Sequence, residues 1–201
     1  VGTNRADLLD DPLYLGVRHE RLTGQAYDDF IARFVAAFKR RFPEALLQWE
    51  DFSKQKAFDV LERYKDRLPS FNDDIQGTGA VVLAGLLAAS RKTRRNLTDE
   101  VIVVHGAGAG GVGVARQVIE GLTRQGLSRR EAVNRVLVVD SRGLIVAGRA
   151  GLEPYKESVA QEGGRVANWE TAGAVPTLLE TITNAKVTVL LGLSGQRGAF
   201  D

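Results

Sequence analysis

The sequence has no cysteine and no methionine, and only two histidines and two tryptophans in 201 residues. Without cysteine there is no disulfide, no thiolate nucleophile and no Cys-ligated metal. A bound metal must therefore take oxygen ligands or one of His19 and His105. An excess of charge of either sign is also lacking. The 27 Lys+Arg against 25 Asp+Glu leave a formal +2, so no global field recruits nucleic acid or a membrane surface. No apolar run reaches the roughly 20 residues that span a bilayer, and the longest, residues 79–89, reads as a buried helix. A chain without methionine that opens on Val1-Gly2-Thr3-Asn4 and stops at Gly198-Ala199-Phe200-Asp201, directly after a strand-like run, is expected to be the interior of a longer protein.

What is present is ordinary for an α/β protein, with 44% hydrophobic and 26% charged residues, enough for one large core or two small ones. Residues 1–20 read as loop with at most a helical turn. Tyr27, Phe30, Ile31, Phe34, Val35 and Phe38 follow helical spacing over 23–42, and Pro43 ends that helix. Residues 45–49 predict a short strand ending in Glu50-Asp51. Ser53 is placed to cap a second amphipathic helix that closes before Pro69. Residues 78–92 predict a helix buried on most sides.

From Asp99 the pattern changes. Val101–Val104 is a continuous β-branched run of the kind that forms a strand buried on both faces, Val136–Val139 reads as another buried strand, and Val187–Leu191 as a third strand. Helical segments lie between them: one to about Gln125, a short one opened by a Ser128/Glu131 capping box, and one over 176–183. Strand–helix alternation predicts a Rossmann-type, doubly wound parallel sheet preceded by part of another α/β domain. The polar patch 91–99 divides the chain into 1–93 and 94–201.

Two stretches carry chemistry. The first is Ser70-Phe71-Asn72-Asp73-Asp74-Ile75-Gln76-Gly77-Thr78-Gly79, where two carboxylates and two amides sit at an element boundary. On its own it reads as a polar turn with an Asp N-cap for the following helix. The second is Gly106-Ala107-Gly108-Ala109-Gly110-Gly111, a GxGxxG between a predicted strand and a predicted helix, which is the context that gives the motif meaning. Gly106 permits the tight turn, Gly108 lets backbone approach a pyrophosphate, and Gly111 allows close helix–strand packing. Ala109 and Gly110 open the helix whose free N–H groups face phosphate. Asp140, at the end of the next strand, suits a ribose hydroxyl. It lies later than the usual interval of about 20 residues, an excess assigned to an insertion at 126–132. Asp140 argues for NAD, whereas Arg142 and Lys156 would neutralise a 2′-phosphate and argue for NADP. His105 reads as a packing residue.

Glu50 and Asp51 end one strand, and Asp73 and Asp74 follow the next helix, so all four can return to one end of a sheet. Carboxylates gathered there repel one another unless a cation neutralises them, and oxygen ligands suit Mg²⁺ or Mn²⁺.

Trp49-Glu50-Asp51-Phe52, Phe71-Asn72-Asp73-Asp74-Ile75-Gln76-Gly77-Thr78, the 84–89 helix, Val1-Gly2-Thr3-Asn4, the glycine loop and Val139-Asp140-Ser141 with Gly143-Leu144-Ile145 together resemble malic enzymes across essentially the whole chain. The resemblance implies that Glu50, Asp51 and Asp74 hold a divalent metal and that Asp74 also neighbours the cofactor. Asp73 is then a neighbour of that site or a proton handler. It implies oxidative decarboxylation of malate to pyruvate and CO₂ with NAD or NADP, and a lysine near position 156 leans toward NADP. The family's general-acid tyrosine, malate-binding arginine and general-base lysine are expected upstream of Val1, and its substrate asparagines beyond Asp201, so residues 1–201 alone are expected to be inactive. Ser53-Lys54-Gln55-Lys56 departs from the asparagines frequent there in the family. The intact enzyme is expected to be a homo-oligomer, dimer or tetramer, in the cytoplasm or an organelle matrix, with no nucleic-acid or membrane partner. Three rivals are a malolactic enzyme with retained NAD, a non-catalytic dinucleotide-binding module, and an amino-acid dehydrogenase that leaves the acids unexplained.

Overall fold

A computed structural model describes residues 2–199. The chain divides into two compact units, Val1–Leu46 and Leu47–Asp201. The first contains α1 (Ala6–Asp10) and α2 (Gly24–Arg41). The last turn of α2 carries Lys39, Arg40 and Arg41, which complement its negative C-terminal end.

The second unit opens with β1 (Leu47–Trp49), α3 (Lys54–Tyr64) and β2 (Ser70–Asn72). The two strands are parallel, with Leu47 opposite Ser70 and Trp49 opposite Asn72. α3 joins them and buries Ala57, Phe58, Val60, Leu61 and Tyr64. Ser53 occupies the N-cap position, but its hydroxyl makes no capping bond, contrary to the sequence expectation.

β2 runs without a loop into a five-residue π-turn, Asp73–Gly77, and then into α4 (Thr78–Thr93). The cap is Asn72, whose side chain accepts from the Ile75 N–H, so the expected Asp cap is corrected. Asn72 also donates its own N–H to Gln76 Oε1, 3.0 Å away. Those reciprocal bonds satisfy two backbone donors at the turn's start. α4 was expected to be buried on most sides. Among its described residues only Gly79 and Leu86 are buried, and Val81 is 74% exposed. Uniform apolarity fixes no direction, and this helix covers the core with one side only, through Val82, Leu83, Leu86 and Leu87.

The main sheet has the order β5-β4-β3-β6. β3 (Ile102–His105) lies between β4 (Val136–Asp140) and β6 (Val189–Gly192), parallel to both. β5 (Gly143–Leu144) pairs antiparallel with β4. Side chains alternate across the sheet. Ile102, Val104, Val136 and Val138 face one core with Val112, Val118 and Ile119 of α5 (Ala109–Arg124). Val103, Leu137 and Val139 face the other, with Trp169, Leu178 and Ala185 packed against it. Helical cover on both faces makes this the doubly wound sheet that the sequence predicts. The late arrival of Asp140 has a concrete cause in α6 (Arg129–Arg135), opened by the Ser128/Glu131 capping box. Two 3₁₀ segments (Leu97–Asp99 and Pro154–Val159), α7 (Gly163–Val166) and α8 (Leu178–Ala185) complete the described elements.

Candidate active site: an acidic cluster beside a dinucleotide cleft

The parallel register of β1 and β2 decides where the acids go. Trp49 and Asn72 are partners at the carboxyl ends of their strands, so the next residues of both strands emerge at one level. That edge is where open α/β sheets bind ligands. Asp51 turns with φ 59°, a left-handed conformation that short polar residues tolerate better than branched ones. Its backbone N–H donates to Asp74 Oδ2 at 2.9 Å. One oxygen from each of Glu50, Asp51 and Asp74 lies within 4.8 Å of the others. Oxygens on opposite sides of an octahedral Mg²⁺ stand about 4.2 Å apart, so this donor set suits a hard divalent cation with little rearrangement. Asp73 is placed differently. Its carboxylate folds back over Gly77, where a Cβ would meet Oδ1 at 2.1 Å. The structure thus brings together Glu50, Asp51 and Asp74, with Asp73 at the edge.

The π-turn that carries Asp74 lies against the head of α5. A Cβ on Gly110 would stand 3.6 Å from the Asp74 carbonyl oxygen, and one on Gly113 would meet the Ile75 carbonyl oxygen at 2.4 Å. The acids and the glycine loop therefore share one wall. In that loop Gly106 has φ +122°, and its Cβ would strike Leu193 backbone at 2.4 Å. Gly111 allows the helix to pass over the loop, since a Cβ there would fall 1.7 Å from the Gly106 carbonyl oxygen. Gly108, the N-cap of α5, has nothing within 4 Å of its Cβ position. That is the open side through which a phosphate would approach.

A cleft of about 380 Å³ runs from Gly106, Ala107 and Gly108 to Asp140, Ser141 and Arg142, with Lys54, Glu153 and Lys156 also in its walls. At its floor Asp140 is almost wholly buried. It pairs with Arg149 and with Lys156 Nζ, the latter at 3.0 Å, and accepts the Arg142 N–H at 2.9 Å. Burial alone would raise the Asp140 pKa, but the bonds from Arg149, the Arg142 backbone and Lys156 outweigh it and hold the group below its ordinary value. Lys156 behaves in the mirror sense. Burial opposes its charge, yet Glu153 and Asp140 raise its pKa above the usual lysine value. Arg142 turns its guanidinium into the neighbouring loop, donating to the Ala150 and Gly151 carbonyls at 3.0 and 2.9 Å.

Sequence reasoning missed Glu153, which lines this cleft, and two residues bonded to its walls, Arg149 and Tyr155. Arg149 pairs with Asp140 and donates to the Gly143 and Leu144 carbonyls. Glu153 pairs with Lys156 at 2.8 Å. Tyr155 donates its hydroxyl to the Ala107 carbonyl at 3.1 Å and stacks on Phe58 with ring centres 4.8 Å apart. Arg116 covers the other side of Phe58 at 4.7 Å. The Pro154 that starts the 3₁₀ segment was the available local signal, because it places Glu153, Tyr155 and Lys156 within one turn.

A doubly wound sheet, a glycine loop on a helix N-terminus and a strand-end acid define a dinucleotide-binding protein with an acidic cluster beside the cofactor cleft. Comparison with known proteins sharpens this class. Residues 1–65 match the malic enzyme N-terminal domain, and residues 75–201 match the malic enzyme NAD-binding domain. The chain belongs to the malic enzyme family. It is 48% identical over its whole length to an NAD-dependent malic enzyme of Pseudomonas savastanoi pv. phaseolicola, of which it covers 36%. It is 45% identical to one of Proteus mirabilis, of which it covers 35%. It thus spans about a third of the length of these curated relatives. Among solved structures, the NAD-dependent malic enzyme of Thermotoga maritima matches 88% of this chain and 42% of its own at TM-score 0.63 and 22% identity, a likeness of fold. The malic enzyme of Pyrococcus horikoshii matches 67% of this chain and 31% of its own at TM-score 0.53 and 30% identity.

Proposed function

We propose that the protein containing this chain oxidatively decarboxylates (S)-malate to pyruvate and CO₂ with reduction of NAD, in the presence of Mg²⁺ or Mn²⁺. The observation that carries this proposal is the convergence of Glu50, Asp51 and Asp74 within 4.8 Å, with Asp74 on the turn that abuts the head of the dinucleotide helix. Removing hydride from a hydroxy acid and then losing CO₂ from the resulting keto acid needs a hydride acceptor and a cation side by side. A cation held by Glu50, Asp51 and Asp74 supplies Lewis acidity toward the substrate's hydroxyl oxygen and carboxylate.

The remaining roles belong to groups on this chain. N–H groups at Gly108, Ala109, Gly110 and Gly111 head α5 and suit a pyrophosphate, while Gly106 sets the turn that aims them. Asp140, kept ionised by its partners, is an acceptor for ribose hydroxyls. Asp74 links the two halves, because its carboxylate belongs to the acidic cluster and its backbone carbonyl lies against Gly110 at the head of α5. Asp73, one residue earlier, takes the role of a neighbour of that site or a proton handler in this reading. NAD is favoured over NADP by the buried acid at Asp140 and by relatives named as NAD-dependent. We also divide the chain functionally at 93/94, with the metal ligands on the first part and the nucleotide loop on the second.

The test is an assay of the whole protein with malate, NAD and Mn²⁺. It is expected to form NADH and pyruvate in equal amounts, to stop in excess chelator and to be lost in Asp74→Ala. Lactate without net NADH would replace this proposal with the malolactic reaction. Dinucleotide binding with no Mn²⁺ affinity would leave only a binding module.

A further inference from the structure

Lys156 and Arg142 are the cations that a sequence reading assigns to a 2′-phosphate, and the structure shows both already engaged. Lys156 is 7% exposed and lies between two carboxylates, Asp140 at 3.0 Å and Glu153 at 2.8 Å. The Arg142 guanidinium donates to two loop carbonyls. Glu153, by contrast, is 44% exposed, and it shares the cleft wall with Gly106, Gly108 and Asp140.

We propose that Glu153 sets the dinucleotide preference of this cleft, by holding Lys156 between itself and Asp140 so that the ammonium is not offered to a 2′-phosphate. The inference rests on the NAD-linked reaction proposed above and adds a specificity residue to it. At the floor of the cleft Asp140 is balanced by Arg149, and Lys156 by Glu153. A ribose 2′-hydroxyl needs only an acceptor there. A 2′-phosphate, near −2 in charge, would meet two carboxylates whose lysine and arginine partners are already paired with them. Accepting it would require breaking the buried Lys156 pair, which costs more than an exposed pair because the lysine is desolvated. Lys54, the remaining cation of the cleft wall, sits on α3 and does not belong to this network.

Glu153 acts here as a positioning residue through Lys156, so its test must read selectivity rather than activity alone. NADH and NADPH are titrated by fluorescence into the whole protein as wild type, Glu153→Gln, Glu153→Ser, Lys156→Gln, and Glu153→Gln combined with Lys156→Gln. Wild type is expected to bind NADH more tightly than NADPH. Each Glu153 variant is expected to raise the NADPH-to-NADH affinity ratio by about tenfold or more, as for loss of one nearby like charge. Adding Lys156→Gln is expected to remove that gain, because the freed lysine supplies it. Two Glu153 variants with a ratio within twofold of wild type would overturn the proposal, as would a gain that survives Lys156→Gln. Wild type binding NADH, with no change in the variants, sinks this inference alone. Wild type binding neither dinucleotide sinks the cofactor assignment with it.

Discussion

The carbonyl oxygen of Ile75 lies 2.4 Å from where a Cβ on Gly113 would stand, and the Cα and carbonyl carbon of Ile75 lie 2.7 and 2.9 Å from the same point. All three neighbours are backbone, so no side chain can swing aside. The π-turn that carries Asp74 is therefore pressed onto the dinucleotide helix with no room for one methyl group. Gly113→Ala is expected to destabilise by about 1–3 kcal/mol in urea melts and to weaken Mn²⁺ binding, because Asp74 moves with the turn. Gly85→Ala is the control. It lies within α4 with nothing within 4 Å of the Cβ position, and it is expected to stabilise by about 0.4–1 kcal/mol.

The acidic cluster gives a second expectation, readable by melting alone. Glu50, Asp51 and Asp74 bring three negative charges together. Mn²⁺ at a hundredfold excess over its Kd is expected to stabilise wild type by about 2.7 kcal/mol. Asp74→Ala is expected to lose that gain. In chelator it is expected to lose little more than the bond to the Asp51 N–H, since like-charge repulsion is relieved. An equal Mn²⁺ shift in both proteins would remove the metal assignment.

Asp140 answers for two buried cations. Asp140→Asn would leave Arg149 and Lys156 without their carboxylate, and is expected to cost about 3–5 kcal/mol in urea melts, as for breaking a buried pair. The pH dependence has a definite sign on each side. The folded pKa of Asp140 is lowered, so its contribution is complete above the unfolded value of about 3.9 and is lost as pH falls through the folded value. The folded pKa of Lys156 is raised, so its contribution is complete below about 10.4 and is lost as pH rises through the folded value. Stability measured from pH 2 to 12 is expected to show both wings. In Asp140→Asn the acid wing from this residue disappears.

Tyr155 couples the cofactor loop to α3. Tyr155→Phe keeps the stack on Phe58 and removes the bond to the Ala107 carbonyl. The expected loss is about 0.5–1.5 kcal/mol, together with weaker NADH binding measured by fluorescence. Tyr155→Ala also removes the ring, and about 3–5 kcal/mol is expected to go.

Much of this arrangement was legible before the structure. Continuous apolar runs announced β3 and β4, because strands buried on both faces carry little else. The glycines at 106, 108 and 111 could be assigned roles from their neighbours in sequence. Glu50, Asp51, Asp73 and Asp74 could be grouped because a strand–helix–loop path returns to one edge, and the resemblance to malic enzymes singled out Glu50, Asp51 and Asp74 among them. Arg149 and Glu153 were not legible, since their roles depend on how the 146–153 loop folds back over Asp140, and no periodicity encodes that. The exposure of Val81 was hidden for a related reason: composition reports that a helix is apolar, not how many of its sides are covered. The Asn72 cap was hidden by its more conspicuous neighbours, Asp73 and Asp74.

The π-turn also makes chain length, rather than side-chain identity, the carrier of the site's geometry. From Asp73 to Thr78 the backbone spans five residues per bond, with the Thr78 N–H donating to the Asp73 carbonyl. A π-turn closes with five residues about the same single revolution that an α-turn closes with four, so deleting one of residues 75–77 would let the segment relax to an ordinary α-turn with Asp73 and Asp74 nearly in place relative to α4. A second deletion there would find no such slack and would rotate everything before it by about 100°. Both aspartates would survive in the sequence, and Asp74 would no longer face Glu50 and Asp51.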